Sequence, residues 1–493
     1  MADLIQKLML ETPAPAWFLF LLPLLLLSLH HWFTKKTGST GQCLPPSPSA
    51  LPIIGHLHLV GSLPHISLRG LARKHGPNAV LHMHDHILAS RPRSAISDII
   101  MYGSSYIAFA PYGEYWRHAR KLVTTHMLSV KKVQSFRSDR MEEVSMAMAK
   151  INEAATTSGT VDTSELLNSF SNDMASRIVS GKFFLKDGRS KLFRELINDT
   201  SRLLGGFNLE EYFPALGRAG VLKRAVCAKA ERVRNRWADL LDKVIDDRVS
   251  KRKSAFDHKD GDFVDILPSI QPEYDLTREH MKALLTDVFF GATDTSANVL
   301  EFTLAELMRK PHFMGKLQDE VRSIIPGGQE IVSQSDMNNM VYLRAVIKKP
   351  LRLYPVAPLL APHLAMADCT IHGYMVPAGT RVVINAWAVG RDSSSWEGAE
   401  EFIPERFTDK GTATNVNFKG NDFQFLPFGP GRRICPGINL GIANVEFMLA
   451  NLVNHFDWEL PVGVERKNIY MTEVFGLTVR RKEKLLLIPK SRM

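Results

Sequence analysis

Between Thr277 and Pro311 the chain carries one unbroken helical pattern, and this stretch limits the fold more than any other. Thr277 is a good N-cap with Glu279 in the first turn behind it, and Pro311 ends the run. Between them lies MKALLTDVFFGATDTSANVLEFTLAELMRK. Such a helix is about 46 Å long, the width of a whole domain, so a large α-rich body must form around it. A second helix is expected over Asn439–His455, with Leu440, Ala443, Phe447 and Leu452 on one face. Strand signals are short: alternation around Tyr374–Val376 and from Arg381 to Ile384, with a turn at Pro377-Ala378-Gly379. The fold class is therefore mainly α with a small β-sheet subdomain.

The N-terminus bears on location. From Thr12 to Thr34 the chain runs 23 residues without Lys, Arg, Asp or Glu. As a helix this run spans about 34 Å, enough for the hydrocarbon core of a bilayer. Trp17 and Trp32 stand near its ends, where amphipathic rings favour the membrane interface. Lys35 and Lys36 follow it, so the positive-inside bias leaves the bulk of the chain in the cytosol. A cleaved signal peptide is the competing reading, but these lysines occupy the place where a small-x-small cleavage site belongs. Residues 1–36 are thus read as a single-pass anchor. Residues 37–55 are a flexible and then Pro-rich hinge stiffened by Pro45, Pro46, Pro48 and Pro52, and residues 56–493 form the globular domain.

A formal charge of +10 fits either an acidic partner or an ordinary basic surface. No basic stripe is interleaved with aromatics, so nucleic acid is not expected. The four cysteines, Cys43, Cys227, Cys369 and Cys435, have no paired spacing, which argues against a disulfide framework and a CxxC zinc site.

One of these cysteines sits in a distinctive setting, FLPFGPGRRICPGINLGIANVEF, residues 425–447. Gly429 and Gly431 allow a tight loop to lie flat against a planar ligand. Pro436 suits the first position of the following helix, which would place Cys435 at a helix N-terminus where amide dipoles favour a thiolate. A lone cysteine is more often an inert buried residue. The whole loop, however, resembles the haem-binding signature of the cytochromes P450, F-x-x-G-x-R-x-C-x-G, with Phe428, Gly431, Arg433, Cys435 and Gly437 in its fixed positions. The resemblance implies a P450 fold with an N-terminal transmembrane helix and haem b as cofactor. It also implies Cys435 as the iron's axial ligand and Arg433 on a haem propionate. Trp116 and Arg120 fit the family's W-x-x-x-R, implied to hold a propionate, although an amphipathic helix alone explains the pair. His363 stands where the family has Arg or His over the other propionate. Pro404–Phe407 matches P-x-R-F. Phrases such as FAPYGEYWRHARK and INAWAVGRD are similar to plant members of specialised metabolism.

In the long helix, Gly291-Ala292-Thr293-Asp294-Thr295-Ser296 interrupts an apolar run. Such polar residues can simply bond back to a carbonyl one turn earlier. The segment also resembles the family's A/G-G-x-D/E-T-T/S motif, with Ala292 in place of the usual Gly. By that resemblance Thr295 holds water near bound oxygen and Asp294 relays protons. Members that rearrange hydroperoxides typically lack this pair, so it implies a monooxygenase. Electrons would come from NADPH through NADPH-cytochrome P450 reductase in the endoplasmic reticulum membrane. The substrate would be a small lipophilic plant metabolite, indolic or terpenoid. Its pocket would be lined by Phe289, Val356, Leu359, Phe475 and the loop from Met101 to Ala108.

Two departures from the family pattern oppose activity. Where E-x-x-R is expected, VIKKPLRLYP holds Lys349 at the Glu position with Arg352 three residues on. The family's Glu, Arg352 and Arg406 would form a buried ion network; here three cations face one another. Removing one partner of a buried pair costs about 3–5 kcal/mol, and Pro350 inside the same helix about 3 kcal/mol. These are large against a total stability of about 5–15 kcal/mol. The second departure is a gap. LRGLARKHGP (68–77) and HDHILASRPR (84–93) resemble family segments normally separated by two strands and the start of a helix, and only Asn78–Met83 bridge them. The missing strands would leave an open sheet edge and an exposed apolar face. The alternative reading is an inactive P450-like remnant.

Overall fold

The computed structural model describes residues 23–25, 27–28, 44–51, 55–75, 85–157, 159–181, 189–205, 220–251, 261–325 and 329–492. In chain order the longer helices are α1 (Pro64–His75), α2 (Glu114–Leu122), α3 (Arg137–Thr156), α4 (Thr163–Ser180), α5 (Arg189–Gly205) and α6 (Gly220–Lys251). They continue with α7 (Phe263–Tyr274), α8 (Arg278–Arg309), α9 (Pro311–Ile324), α10 (Val341–Leu353) and α11 (Ile438–His455). The strands are β1 (Val161–Asp162), β2 (His363–Leu364), β3 (Cys369–Ile371), β4 (Tyr374–Val376), β5 (Arg381–Val382), β6 (Phe456–Glu459), β7 (Glu473–Val474), β8 (Arg480–Arg481) and β9 (Leu486–Ser491).

The chain divides into two compact units, residues 1–80 with 368–378, and residues 81–367 with 379–493. The smaller contains α1 and the antiparallel β3–β4 hairpin. The expected anchor and hinge lie mostly outside the described residues. The pieces at 23–25 and 27–28 are helical and expose Leu24, Leu25 and Leu27. Among the described residues no helix is long and apolar enough to cross a membrane.

The larger unit is organised by α8. Thr277 caps it, its hydroxyl accepting the His280 amide at 3.1 Å while His280 returns a bond to the Thr277 amide. The helix ends at Lys310, and Pro311 opens α9. From Val299 to Met308 every residue of α8 is buried, as expected of a helix apolar on all faces. It packs against α4, α10 and α11, the last beginning one residue earlier than the sequence pattern indicated. Beyond the core, β1, β9 and β6 form one antiparallel sheet.

β5 pairs with β2, and β2 meets Ser90 on its other side through the Leu364 amide. Among the described residues β5 has no second neighbour, and Val383 beyond it is 41% exposed. The bridging segment Asn78–Met83 lies outside the described residues. Pro350 sits three residues from the end of α10, which continues through it and closes with the Tyr354 amide on the Pro350 carbonyl. So late in the helix, the proline interrupts only the last turn.

Candidate active site

The Cys435 loop is shaped by two glycines in the left-handed region, Gly429 (φ 71°) and Gly431 (φ 62°). At Gly431 a side chain is also excluded by space, since its Cβ would stand 2.1 Å from Asp85 Oδ1. Asp85 in turn accepts the Arg432 amide at 3.1 Å. The loop closes where the Cys435 amide donates to the Phe428 carbonyl at 2.9 Å. Pro436 is not the first residue of the helix as the sequence pattern indicated. Pro436 and Gly437 form a turn, Gly437 caps α11, and its amide donates to Cys435 Sγ at 3.3 Å. The helix start lies two residues further on because this turn is needed to bring that amide back onto the sulfur. Burial nevertheless pushes the Cys435 thiol above its usual range, against the Gly437 amide and the nearby Arg120 guanidinium, which pull it down. The amide dipole at the helix start therefore does not by itself favour a thiolate here.

Arg120 lies close enough to the sulfur to act on it, and Arg91 and Arg120 in turn repel Arg433, so three guanidiniums form one cluster on this side. Arg433 donates to the carbonyls of Ala89, Ile107 (3.2 Å) and Ala110 (2.7 Å) and lies 4.2 Å from the Trp116 ring centre. Arg120 donates to the Ile434 carbonyl next to Cys435. Arg91, which the sequence reading missed, donates to Ala108 (3.1 Å), Ala361 and Pro362 (3.0 Å). Burial, then repulsion from Arg91 and Arg120, lowers Arg433 to about 9, and burial lowers Arg91 to about 10. Among the described residues no carboxylate pairs with any of the three. Trp116 does not offer its indole N–H to a ligand but donates it to Ile107 at 3.1 Å. His363 is buried with Nδ1 2.6 Å from the Leu88 carbonyl, and burial beside Arg91 and Arg433 lowers it to about 4. It is neutral near pH 7, so the cations of this site are arginines.

A half-buried thiol beside Arg120, in a cluster with Arg433 and Arg91 that no carboxylate neutralises among the described residues, suits a planar group that carries a metal and two carboxylates. The family model described as cytochrome P450 matches residues 77–488. The chain belongs to the cytochrome P450 family. Curated relatives include indole-2-monooxygenase of Zea mays, 49% identical over 507 residues, covering 96% of this chain and 94% of the relative. Indolin-2-one monooxygenase of Zea mays is 48% identical, covering 92% of each. Cytochrome P450 71A1 of Persea americana is 42% identical, covering 88% of this chain and 91% of the relative. A zebra fish cytochrome P450 solved with progesterone shares the fold at a TM-score of 0.73 and 22% identity, covering 87% of this chain and 99% of that one. Cytochromes P450 of this kind are haem-thiolate monooxygenases, and the thiol and arginine cluster of this P450 fits that haem.

On the notch side, Gly291 is exposed in the middle of α8 between the half-buried Phe290 and Ala292, and a side chain there would meet open space. Thr295 Oγ1 donates back to the Gly291 carbonyl at 2.7 Å. A Cβ on Gly441, in the first turn of α11, would come 3.9 Å from Ser296 Oγ, so the polar notch lies beside the Cys435 helix. Asp294 lines a cavity of about 680 Å³ with Thr293, Asn298, Phe475 and Arg480. Burial raises its carboxyl above the usual range, with Arg480 opposing.

The expected substrate-lining residues divide. Phe475 faces the same cavity as Asp294. Val356 is tied to the C-terminal hairpin by the Val479 amide at 2.8 Å, and Leu359 is half-buried. Next to it Leu360, at φ 49°, lies 3.7 Å from the Cβ position of Gly429, on the Cys435 loop. Phe289 is a correction: it is fully buried in an aromatic cluster with Phe193 (4.2 Å) and Trp237 (6.2 Å), because that face of α8 looks at α5 and α6. The Met101–Ala108 loop is mostly buried, and Asp287 holds it by accepting the Ile107 and Ala108 amides. Asp287 was another residue the sequence reading missed; its signal is an acid inside the apolar run LLTDVFF.

The expected trio of Lys349 and Arg352 on α10 with Arg406 from the short helical turn Pro404–Phe407 is assembled. Lys349 is fully buried, and its Nζ makes no hydrogen bond among the described residues. Arg352 donates to the carbonyls of Gly390, Ala399 (2.7 Å) and Glu401 (3.2 Å), and Arg406 to Gly398 at 3.0 Å. Burial, then Arg352, Arg406 and Lys310, lower Lys349 to about 5, so the amine is neutral near pH 7.

Proposed function

We propose that this chain is a microsomal P450 whose Cys435 ligates haem iron and which inserts one oxygen atom from O2 into a small indolic metabolite. The observation carrying the reading is the Cys435 sulfur under the Gly437 amide with Arg120 acting on it and the buried Arg91 and Arg433 in the same cluster, none of the three paired with a carboxylate among the described residues. When bound, the haem supplies oxygen activation. Arg91, Arg120 and Arg433 would turn from backbone carbonyls to the two propionates, with Trp116 supporting Arg433 from below. Phe428, Gly431 and Gly437 shape the loop, and His363 spaces the Arg91 side. Asp294 holds a proton longer than an exposed carboxyl because it is buried, and hands it on from the cavity it lines. Thr295 releases the Gly291 carbonyl to hold water at the notch.

The substrate class rests on the Zea mays relatives, whose names specify indole and indolinone monooxygenases. Electrons would come from NADPH through the reductase. Residues 1–36 would anchor the protein in the endoplasmic reticulum membrane, 37–55 act as hinge and 56–493 form the cytosolic haem domain. The exposed helical leucines at 24, 25 and 27 support the anchor.

A second reading is favoured by one observation, the unpartnered buried amine of Lys349: a P450 chain that folds without retaining haem. The carbon monoxide difference spectrum of the reduced protein in microsomes decides between them. A thiolate-type Soret band, with indole turnover when reductase is added, supports the oxygenase. No such band in the natural chain, and its appearance in Lys349→Glu, supports the remnant.

A further inference from the structure

The Lys349 region has the makings of a ligand site unrelated to the haem. Lys349 and Arg352 lie one turn apart on α10. Arg352 and Arg406 grip the same short segment, through the carbonyls of Ala399 and Glu401 on one side and Gly398 on the other. Three donors remain buried and unused: Lys349 Nζ, Arg352 Nε and Arg406 Nε. Among the described residues every other donor that the two arginines use here meets a neutral carbonyl, so neither guanidinium is hydrogen-bonded to a carboxylate.

The nearby carboxylates Glu306, Glu400 and Glu405 each pair with a cation outside this trio. Glu306 still acts on Lys349 through space, and the Oε2 atoms of Glu306 and Glu405 make no hydrogen bond among the described residues. Glu306 bonds Arg309 at 3.0 Å and the Tyr354 hydroxyl at 2.6 Å, with Lys310 at 3.8 Å. Glu400 pairs with Arg391 at 3.0 Å, and Glu405 with Lys316 at 2.6 Å. A buried cation without a counter-charge either gives up its proton or draws in an anion, and arginine does not give up its proton.

We propose that Lys349, Arg352 and Arg406 form a buried binding site for one small monovalent anion, which takes the place of a carboxylate at position 349. Chloride and formate fit this chemistry, and the bulkier gluconate serves as the control anion. Lys349 is protonated when the anion is bound, so the pair enters as a neutral unit.

The test uses the full chain in detergent and thermal unfolding followed by tryptophan fluorescence, a readout that does not require haem. Potassium chloride or formate is titrated against potassium gluconate at constant ionic strength. The natural chain should show a saturable rise of the midpoint, on the order of a few degrees, in chloride and in formate but not in gluconate. Lys349→Glu, which supplies its own carboxylate, should lose that anion-specific rise. Lys349→Met should keep it in weakened form, with half-saturation shifted to higher anion concentration. Equal midpoints in chloride and gluconate for the natural chain overturn the proposal. So does an undiminished chloride effect in Lys349→Glu, which would place the anion elsewhere.

Discussion

Two clusters of buried positive charge lie in the larger unit, one at the Cys435 loop and one on α10, and they are built alike. In each, arginines are fixed by backbone carbonyls rather than by carboxylates: Arg91, Arg120 and Arg433 in the first, Arg352 and Arg406 in the second. The first needs no protein carboxylate, because the haem of this family brings two. The second relied on a side chain of the protein, and Lys349 stands in its place. A guanidinium cluster in a protein interior therefore marks the place of an anion. Whether it is a functional site or a defect depends on where that anion comes from.

The comparison breaks most visibly at the sulfur. Cys435→Ser leaves both arginine clusters intact and removes the one soft ligand, so the thiolate Soret band of the reduced carbon monoxide complex is expected to vanish completely. Retention of that band would remove Cys435 from the site. The next largest effect belongs to α10. Lys349→Glu restores a carboxylate between two guanidiniums, and the expected gain is about 3–5 kcal/mol in urea unfolding. A gain no larger than that of Lys349→Met would show that relieving repulsion, not pairing, is what matters.

The same lysine has a pH signature. Its folded value is lowered from 10.5 to about 5, so between those values the unfolded chain binds more protons and stability rises with pH. The groups facing it are Arg352, Arg406, Lys310 and Glu306, and among the acids only Glu306 opposes the shift. In gluconate buffer between pH 7 and 9, Lys349 should contribute a slope of about 1.4 kcal/mol per pH unit. Lys349→Met should lack that slope, and equal slopes in the two proteins would mean that the amine stays charged.

How far the sequence reveals this molecule follows the range of the forces involved. α8 was legible because its cap, its apolar run and Pro311 are local. The Cys435 loop was legible because Gly429 and Gly431 answer a backbone requirement that other residues meet poorly. The α10 trio was legible as a missing charge. Arg91 and Asp287 were not, since their partners are amides and carbonyls of segments far away along the chain, and backbone atoms leave no mark in sequence. Phe289 was misplaced because helical periodicity gives a face without saying which neighbour occupies it.

Arg91 sharpens the comparison at the haem end. It shares the ligand-facing cluster with Arg433, whereas His363 is neutral at working pH. Arg91→Ala should weaken haem retention on the order of 10- to 100-fold, as expected for losing a charge-assisted hydrogen bond. His363→Ala should cost less, and a haem-transfer rate to apomyoglobin measures both. The reverse order would restore His363 as the propionate partner.

The smallest expected effect concerns a place where an anion, not a cation, orders backbone. Asp287 on α8 accepts the Ile107 and Ala108 amides, while the Ile107 carbonyl accepts Trp116 and Arg433. A single peptide group thus joins the oxygen-side helix to the haem-loop arginine. Asp287→Asn keeps an acceptor of the same size and removes the charge, a loss of about 1 kcal/mol and so roughly fivefold in binding. Because the loop is expected to touch substrate and not the reacting oxygen, this loss should appear in KM with kcat almost unchanged. Burial holds the Asp287 carboxyl at about 7, so the natural enzyme's KM should rise below neutrality as the charge is lost, while that of Asp287→Asn should stay flat. A variant that lowers kcat and leaves KM in place would mean that Ile107 positions the haem arginine and not the substrate.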